Sequence, residues 1–242
     1  CHLMSITPSI NLIKNLRRTL IKKQPLEILQ VSFDQDTLEA ICQSLILVRT
    51  VKNLTIGGYK YPDLFKNISR ILSSNKTLEI LHIVDYSKQQ DFSDFIQSIS
   101  GSGLQSLTFT SISFQRTMIQ LFVDCVPFSP QLKHVGFVNC NFDSFVFGSI
   151  FSSPEKFKNV ESFEISKDCR EITLSFVPNL ITFIISSRIT NLVLKEVAID
   201  IFQVFSTIEN TPNVMIKSID LSGNYCSKAY QNCPKLNSTL EN

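Results

Sequence analysis

The residues best able to do acid–base or metal chemistry in this 242-residue chain are three histidines and seven cysteines. Such side chains act in groups at short spacings, as in His-Glu-x-x-His or Cys-x-x-Cys. The sequence contains neither pattern, and it also lacks a Gly-x-Ser-x-Gly motif and a glycine-rich phosphate loop. We therefore expect no enzymatic activity, no metal site and no cofactor.

The cysteines have an odd count and no paired spacing. Cys42 and Cys125 lie in apolar stretches of helical period, where a free thiol behaves as a small hydrophobic residue. Reduced cysteines of this kind are typical of proteins inside the cell. We therefore expect a cytoplasmic protein with free thiols.

Composition argues against several other classes. The chain has 43% hydrophobic and 18% charged residues, which is typical of a folded domain and not of a disordered chain. Its 23 basic and 21 acidic residues nearly cancel, so we expect no nucleic-acid partner. No apolar run approaches the roughly 20 residues that a membrane span needs. One basic cluster is interpreted as the solvated face of an N-terminal helix: Lys14, Arg17, Arg18, Lys22 and Lys23.

A short motif, apolar–x–x–apolar–x–apolar, organises the chain. Each copy ends in alternating apolar and polar residues, which predicts a strand with one buried face. Between most copies apolar residues recur every three or four positions, as Leu64, Ile68 and Ile71 do, which predicts a helix. The copies recur at intervals of 25 to 29 residues and begin at Leu26, Val51, Leu78, Leu104, Leu132, Val160, Ile189 and Ile216.

One strand and one helix cannot bury a core alone, so the repeats are expected to stack. The predicted fold is an α/β solenoid with a parallel sheet on its concave side and mostly helices on its convex side. We predict a single domain over 1–242 and a monomer. Within it, 1–25 is a cap or the helix of a preceding repeat, 26–224 holds about eight repeats, and 225–242 is a tail or a truncated repeat.

The stretch 160–188 departs from this pattern. Short apolar pairs follow one another at intervals of 9 to 11 residues, and Pro178 lies among them. Because proline disfavours helix interiors, we interpret this repeat as having an extended, strand-like convex segment in place of a helix. Two short, degenerate repeats within 160–188 are the alternative that the sequence leaves open.

The motif resembles that of leucine-rich repeats, best seen in Ile216-Lys-Ser-Ile219-Asp-Leu221-Ser-Gly-Asn224 and in Val135-Gly-Phe137-Val-Asn-Cys140-Asn-Phe142. The period and the strand–helix alternation are similar to the ribonuclease-inhibitor-like class. The long, divergent copies also resemble the repeats of the actin capping-protein regulator and myosin-linker family. The resemblance implies a horseshoe that serves as a protein-binding scaffold, with GTPase activation or cytoskeletal regulation as alternative roles.

In leucine-rich repeats an Asn or Cys side chain at the strand exit bonds to the backbone. Only half of the corresponding side chains in this chain can easily make that bond, so we expect irregular turns and uneven curvature. The position holds Asp34, Tyr59, Tyr86, Ile112, Cys140, Asp168, Val197 and Asn224.

Alternate strand positions define the expected binding surface, which is the exposed concave face of the sheet. His82 and His134 fall on it two repeats apart, about 10 Å at the usual strand spacing, which is too far to share one metal ion. The face is nearly neutral and mildly apolar, which favours a protein partner over a phosphate polymer. The predicted partner-binding residues are Ile80, His82, Val84, Thr108, Thr110, His134, Val138 and Glu164.

An extracellular recognition ectodomain is the alternative to this non-catalytic protein–protein interaction scaffold. The chain contains four Asn-x-Ser/Thr sequons, which accept glycans in secreted proteins. A glycan at Asn67 or Asn75, or a disulfide between Cys226 and Cys233, would support the alternative. Fully titratable thiols would count against it.

Overall fold

The computed structural model describes residues 26–28, 35–47, 50–57, 63–86, 92–142, 144–166, 177–212 and 214–226. Within them, eight strands alternate with seven helices. The strands are β1 Leu26–Ile28, β2 Asn53–Gly57, β3 Ile80–Val84, β4 Ser106–Thr110, β5 His134–Val138, β6 Ser162–Ser166, β7 Asn191–Lys195 and β8 Ser218–Asp220. The helices are α1 Gln35–Leu47, α2 Leu64–Ser74, α3 Phe92–Ser100, α4 Arg116–Cys125, α5 Ser144–Phe151, α6 Val177–Ser186 and α7 Ile201–Glu209.

All eight strands form one parallel sheet in chain order. The register places equivalent repeat positions opposite one another, so Leu81 of β3 lies between Leu54 of β2 and Leu107 of β4. Pairing begins one residue before the strand. The carbonyl oxygen of Lys52, for example, accepts hydrogen bonds from the backbone N–H groups of Glu79 and Ile80 at 2.8 and 2.9 Å. These findings confirm the predicted repeating strand–helix architecture with a parallel sheet.

The core lies between the sheet and the helices. Phe109, Phe137 and Phe163, which stand where the motif usually has leucine, are fully buried on the side of the sheet that faces the helices. Rings from helices meet them there, as Phe95 of α3 meets Phe109 at a centroid distance of 6.3 Å. A continuous series of ring contacts crosses the repeats and runs through Phe65, Phe95, Phe109, Phe137, Phe163 and Phe183.

The turns after β3, β4, β5 and β7 are alike, so the expectation of irregular turns is wrong for these repeats. In each turn the first residue after the strand has a φ of 51 to 56° and donates its backbone N–H to a carbonyl of the next repeat at 2.7 to 3.0 Å. The backbone makes this bond whatever the neighbouring side chain is, which explains why divergent sequences share the turn. The four residues are Asp85, Ser111, Asn139 and Glu196.

The strand-exit position uses its side chain where the chemistry allows. The Cys140 thiol donates to the carbonyl oxygen of Phe109 at 3.4 Å. The Asn224 carboxamide donates to the equivalent carbonyl of Leu194 and accepts from the backbone N–H of Val197 at 3.0 Å. The side chains of Tyr86, Ile112 and Val197 are buried at this position. Asp34, Tyr59 and Asp168 lie outside the described residues.

The extended convex segment expected within 160–188 is wrong, since α6 is a helix. Pro178 is the second residue of α6, a position where no backbone N–H is needed within the helix. Leu180, Phe183 and Ile184 follow at helical spacing and are fully buried. Strand β6 also pairs directly with β7, from Ser162 opposite Asn191, so no additional repeat separates them in the sheet.

Two predicted segments fall largely outside the described part of the chain. The expected cap at 1–25, with its basic cluster, lies there entirely, and so do residues 227–242 of the expected tail. Among the described helices, none is both long and apolar enough to cross a membrane.

Candidate functional site

The candidate site is the side of the sheet that faces away from the helices. We call it the open face and define it by three rows of residues across β2 to β7. Apart from Gly57, Gly136 and Ser166, these residues are exposed or half-buried. The entry row is Asn53, Ile80, Ser106, His134, Ser162 and Asn191; the middle row is Thr55, His82, Thr108, Gly136, Glu164 and Val193; the exit row is Gly57, Val84, Thr110, Val138, Ser166 and Lys195.

All eight residues predicted to bind a partner lie on the open face, on strands β3 to β6. Ile80 is the most exposed apolar side chain among them, with 41% of its surface exposed. Val84 and Val138 are half-buried and lie in the exit row on either side of Thr110, about 10 Å apart across two strand spacings. Together these residues make a shallow, mildly apolar surface at the centre of the sheet.

The two histidines are held by hydroxyl groups of neighbouring strands. His82 Nε2 lies 2.8 Å from the Thr110 hydroxyl. His134 Nδ1 lies 3.0 Å from the Ser162 hydroxyl, and its Nε2 lies 3.4 Å from that of Thr108. These hydrogen bonds join β3 to β6 across the open face and fix the orientation of both imidazoles.

Gly136 creates the space that His134 occupies. A Cβ atom at this position would lie 3.1 Å from His134 Nε2 and 3.2 Å from the Thr108 side chain, closer than ordinary contact. The His134 ring therefore covers the glycine backbone. Sequence reasoning identified His134 but not Gly136 or Ser162 as part of one cluster. The strand register was the missing information, because it places Gly136 between Thr108 and Glu164.

Burial sets the charge of this cluster. Partial removal of His134 from water lowers the pKa of its imidazole below the ordinary 6.5, and the nearby Glu164 carboxylate opposes that shift. His134 is therefore neutral at pH 7, with one nitrogen donating and the other accepting a hydrogen bond. Glu164 accepts a hydrogen bond from the Ser166 hydroxyl at 2.9 Å. Glu164 and Lys195 are the only acidic residue and the only lysine or arginine on the open face as defined.

The Ser162–His134 contact joins a hydroxyl and an imidazole, as a nucleophile and its base are joined in hydrolases. In such sites a carboxylate usually orients the second imidazole nitrogen. Here the Thr108 hydroxyl takes that place. Within the described residues, no three His, Cys, Asp or Glu side chains come together as a metal site would need.

The cysteines of the described chain are free thiols. Cys42 and Cys140 are buried, and burial raises the pKa of the Cys42 thiol to about 12. Cys226 is exposed. Cys1, Cys169 and Cys233, and with Cys233 the disulfide weighed for the extracellular alternative, lie outside the described residues.

Two of the sequon asparagines belong to the core. Asn67 and Asn75 are 3% and 2% exposed. The Asn75 carboxamide donates to the carbonyl oxygen of Leu45 at 2.7 Å and accepts from the backbone N–H of Thr77 at 2.9 Å, so it joins α1 to the approach to β3. A glycan on either asparagine is incompatible with this packing.

Comparison with known proteins adds little to this description. No family model and no curated protein sequence matches the chain. Among solved structures, a crystal structure of a protein from Bacteroides fragilis is similar at a TM-score of 0.39 and 13% sequence identity. The match covers 83% of this chain and 74% of that one.

Proposed function

We propose that the chain is a solenoid of the leucine-rich-repeat type and that its open face binds a protein partner without a covalent step. The observation that carries the proposal is the continuous open face, on which half-exposed side chains from six adjacent strands lie in register. Repeat proteins commonly bind their partners through extended surfaces of this kind.

The chemistry of the open face favours protein over nucleic acid. Binding to phosphate requires several cationic side chains, whereas Lys195 is the only lysine or arginine on the open face. The centre instead offers Ile80, Val84 and Val138 among threonine and serine hydroxyls. Apolar contacts surrounded by hydrogen-bonding groups are the usual composition of protein–protein interfaces.

Hydrogen bonds from hydroxyl groups fix His82 and His134, and this makes the open face rigid before a partner binds. Because His82 and His134 are already hydrogen-bonded across strands, a partner does not need to immobilise them. A surface ordered in advance loses less conformational entropy on association. We therefore propose that the centre of the contact with the partner lies on strands β3 to β6.

The test is affinity capture from the native cell with two triple variants of equal charge change. The first carries Ile80→Glu, Val84→Glu and Val138→Glu on the open face. The second carries Ser73→Glu, Gln97→Glu and Thr117→Glu at exposed positions of α2, α3 and α4. Circular dichroism checks that both variants remain folded.

A partner of the open face is captured by the wild-type chain and by the helix variant but not by the open-face variant, since a buried unpaired carboxylate is costly at an interface. Capture of every partner by both variants would contradict the proposal. The extracellular alternative loses one expected marker, because Asn67 and Asn75 are buried.

A further inference from the structure

One carboxylate at the centre of the open face has no cationic partner in the described part of the chain. The Glu164 side chain is half-buried in the middle row, and the Ser166 hydroxyl donates a hydrogen bond to its carboxylate at 2.9 Å. No lysine or arginine among the described residues makes an ion pair with it. In the free chain this charge is therefore stabilised by one hydroxyl and by solvent.

The side chains next to Glu164 cannot supply the opposite charge. In the strand register, Gly136 of β5 and Val193 of β7 lie directly opposite Glu164 on its two sides, and neither has a polar side chain. The Glu164 carboxylate also acts electrostatically on the His134 imidazole. That imidazole is neutral at pH 7, because burial lowers its pKa.

Lys195 has an acidic neighbour on its other side. It lies diagonally from Glu164 on the next strand, about 8 Å away between Cα atoms at the usual strand dimensions. Hydrogen bonds from Ser222 lower the pKa of Asp220 in β8, and the Lys195 ammonium group lowers it further. The charge of Lys195 therefore acts on Asp220, and Lys195 forms no ion pair with Glu164.

A partner that covers the centre of the open face must remove Glu164 from water. Transfer of an unpaired carboxylate out of water is strongly unfavourable, whereas a charge-assisted hydrogen bond to a cation stabilises it. Val193 lies beside Glu164 and Val138 lies diagonally from it. An apolar partner surface that covers both valines excludes water around the carboxylate, and this strengthens an ion pair formed there.

We propose that the protein partner of the open face pairs a lysine or arginine side chain with Glu164 and places apolar side chains on Val138 and Val193 beside it. This inference rests on the proposed function, because it takes the open face as the binding surface. Glu164 is then the residue that selects a partner by charge, since a neutral or acidic surface would leave the carboxylate buried and unpaired.

Selection from a phage-displayed library of random linear peptides tests the inference. The baits are the full wild-type chain, Glu164→Gln, Glu164→Lys and a variant with both Val138→Gln and Val193→Gln, which removes the apolar surface without a change of charge. Glu155→Gln is the matched control, because Glu155 is exposed in the short helical segment between α5 and β6, outside the open face. Circular dichroism checks that every bait is folded.

Peptides selected by the wild-type chain should share a lysine or arginine at one position, next to apolar residues, and should bind Glu155→Gln equally well. They should bind Glu164→Gln at least about tenfold more weakly, since loss of one member of a desolvated ion pair costs at least that factor. Glu164→Lys should select aspartate or glutamate at the same position.

The failure of this inference and the failure of the proposed function give different results. Selected peptides may lose affinity for the valine variant but share no basic position, or bind Glu164→Gln as tightly as the wild-type chain. Either result would overturn this inference and leave the proposed function standing. If no selected peptide binds the wild-type chain more tightly than the valine variant, the proposed function is contradicted, and this inference with it.

Discussion

The series of phenylalanine rings predicts that Phe137 is among the most costly residues to truncate. Its ring is fully buried and has five ring neighbours at centroid distances of 5.2 to 6.2 Å. Phe137→Ala removes these contacts and leaves a cavity, at an expected cost of about 3–5 kcal/mol in the free energy of unfolding. Phe137→Leu keeps most of the volume and should cost about 1.5 kcal/mol or less.

The contact between repeats can be isolated by a double-mutant cycle. Phe109 and Phe137 stack at a centroid distance of 5.7 Å and an interplanar angle of 16° across β4 and β5. Phe109→Leu and Phe137→Leu should couple by about 0.5–1.5 kcal/mol, the usual value of an aromatic pair beyond its buried area. Phe65 lies in α2, three repeats before Phe137. The losses of unfolding free energy caused by Phe65→Leu and Phe137→Leu should therefore add within about 0.5 kcal/mol.

Urea unfolding followed by circular dichroism measures these energies. The slope of the unfolding free energy against urea concentration must be the same in all variants. A changed slope would mean that the repeats no longer unfold together, and the energies could not be compared. A cost below about 1 kcal/mol for Phe137→Ala would contradict the packing of Phe137 in the core. Zero coupling between Phe109 and Phe137 would contradict the stacking across repeats.

Three further predictions concern single positions. Asn75→Ala should lower the unfolding free energy by about 1–3 kcal/mol in the same urea assay, because the carbonyl of Leu45 loses its buried partner. Glu196→Gly should raise it by about 0.5–1 kcal/mol, because Glu196 has a φ of 56° that glycine adopts without strain; an unchanged or lower stability would contradict this reading. For His134, an NMR titration should give a pKa below 6.5. Since the unfolded chain binds the proton more tightly, stability should fall as pH drops through 6.5 towards the folded pKa, and His134→Gln should reduce that fall.

The sheet was predictable because its signal repeats. One apolar motif recurs eight times, and its alternation determines which side of each strand is buried. Leu81 and Ile83 therefore lie in the core and His82 on the open face, as predicted. The stacking follows because no single strand and helix can bury both elements.

The errors arose where the outcome depends on backbone geometry. Pro178 suggested an extended segment, but in the first turn of α6 it costs the helix no hydrogen bond. Ser and Glu are not among the residue types that favour a positive φ, yet Ser111 and Glu196 adopt one, and their backbone N–H groups make the same bond as that of Asn139. Backbone bonds of this kind leave little trace in residue type.

The candidate site was predictable in outline but not in detail. Alternation alone places Thr108 and His134 on one face. It does not show that the absence of a side chain at Gly136 lets the His134 ring lie between Thr108 and Ser162. That arrangement depends on the register of three neighbouring strands, which follows only from the assembled sheet.

Site-specific photo-crosslinking tests the central claim, that the open face binds a protein partner, most directly. A photo-crosslinking amino acid is placed in the full chain either at Val84, in the exit row, or at Gln97, which is exposed on α3. Both chains are irradiated in the native cell, and adducts are compared by mass. The account predicts a discrete protein adduct from the Val84 position and none from the Gln97 position. Equal adducts from both positions, or an adduct from Gln97 alone, would contradict it.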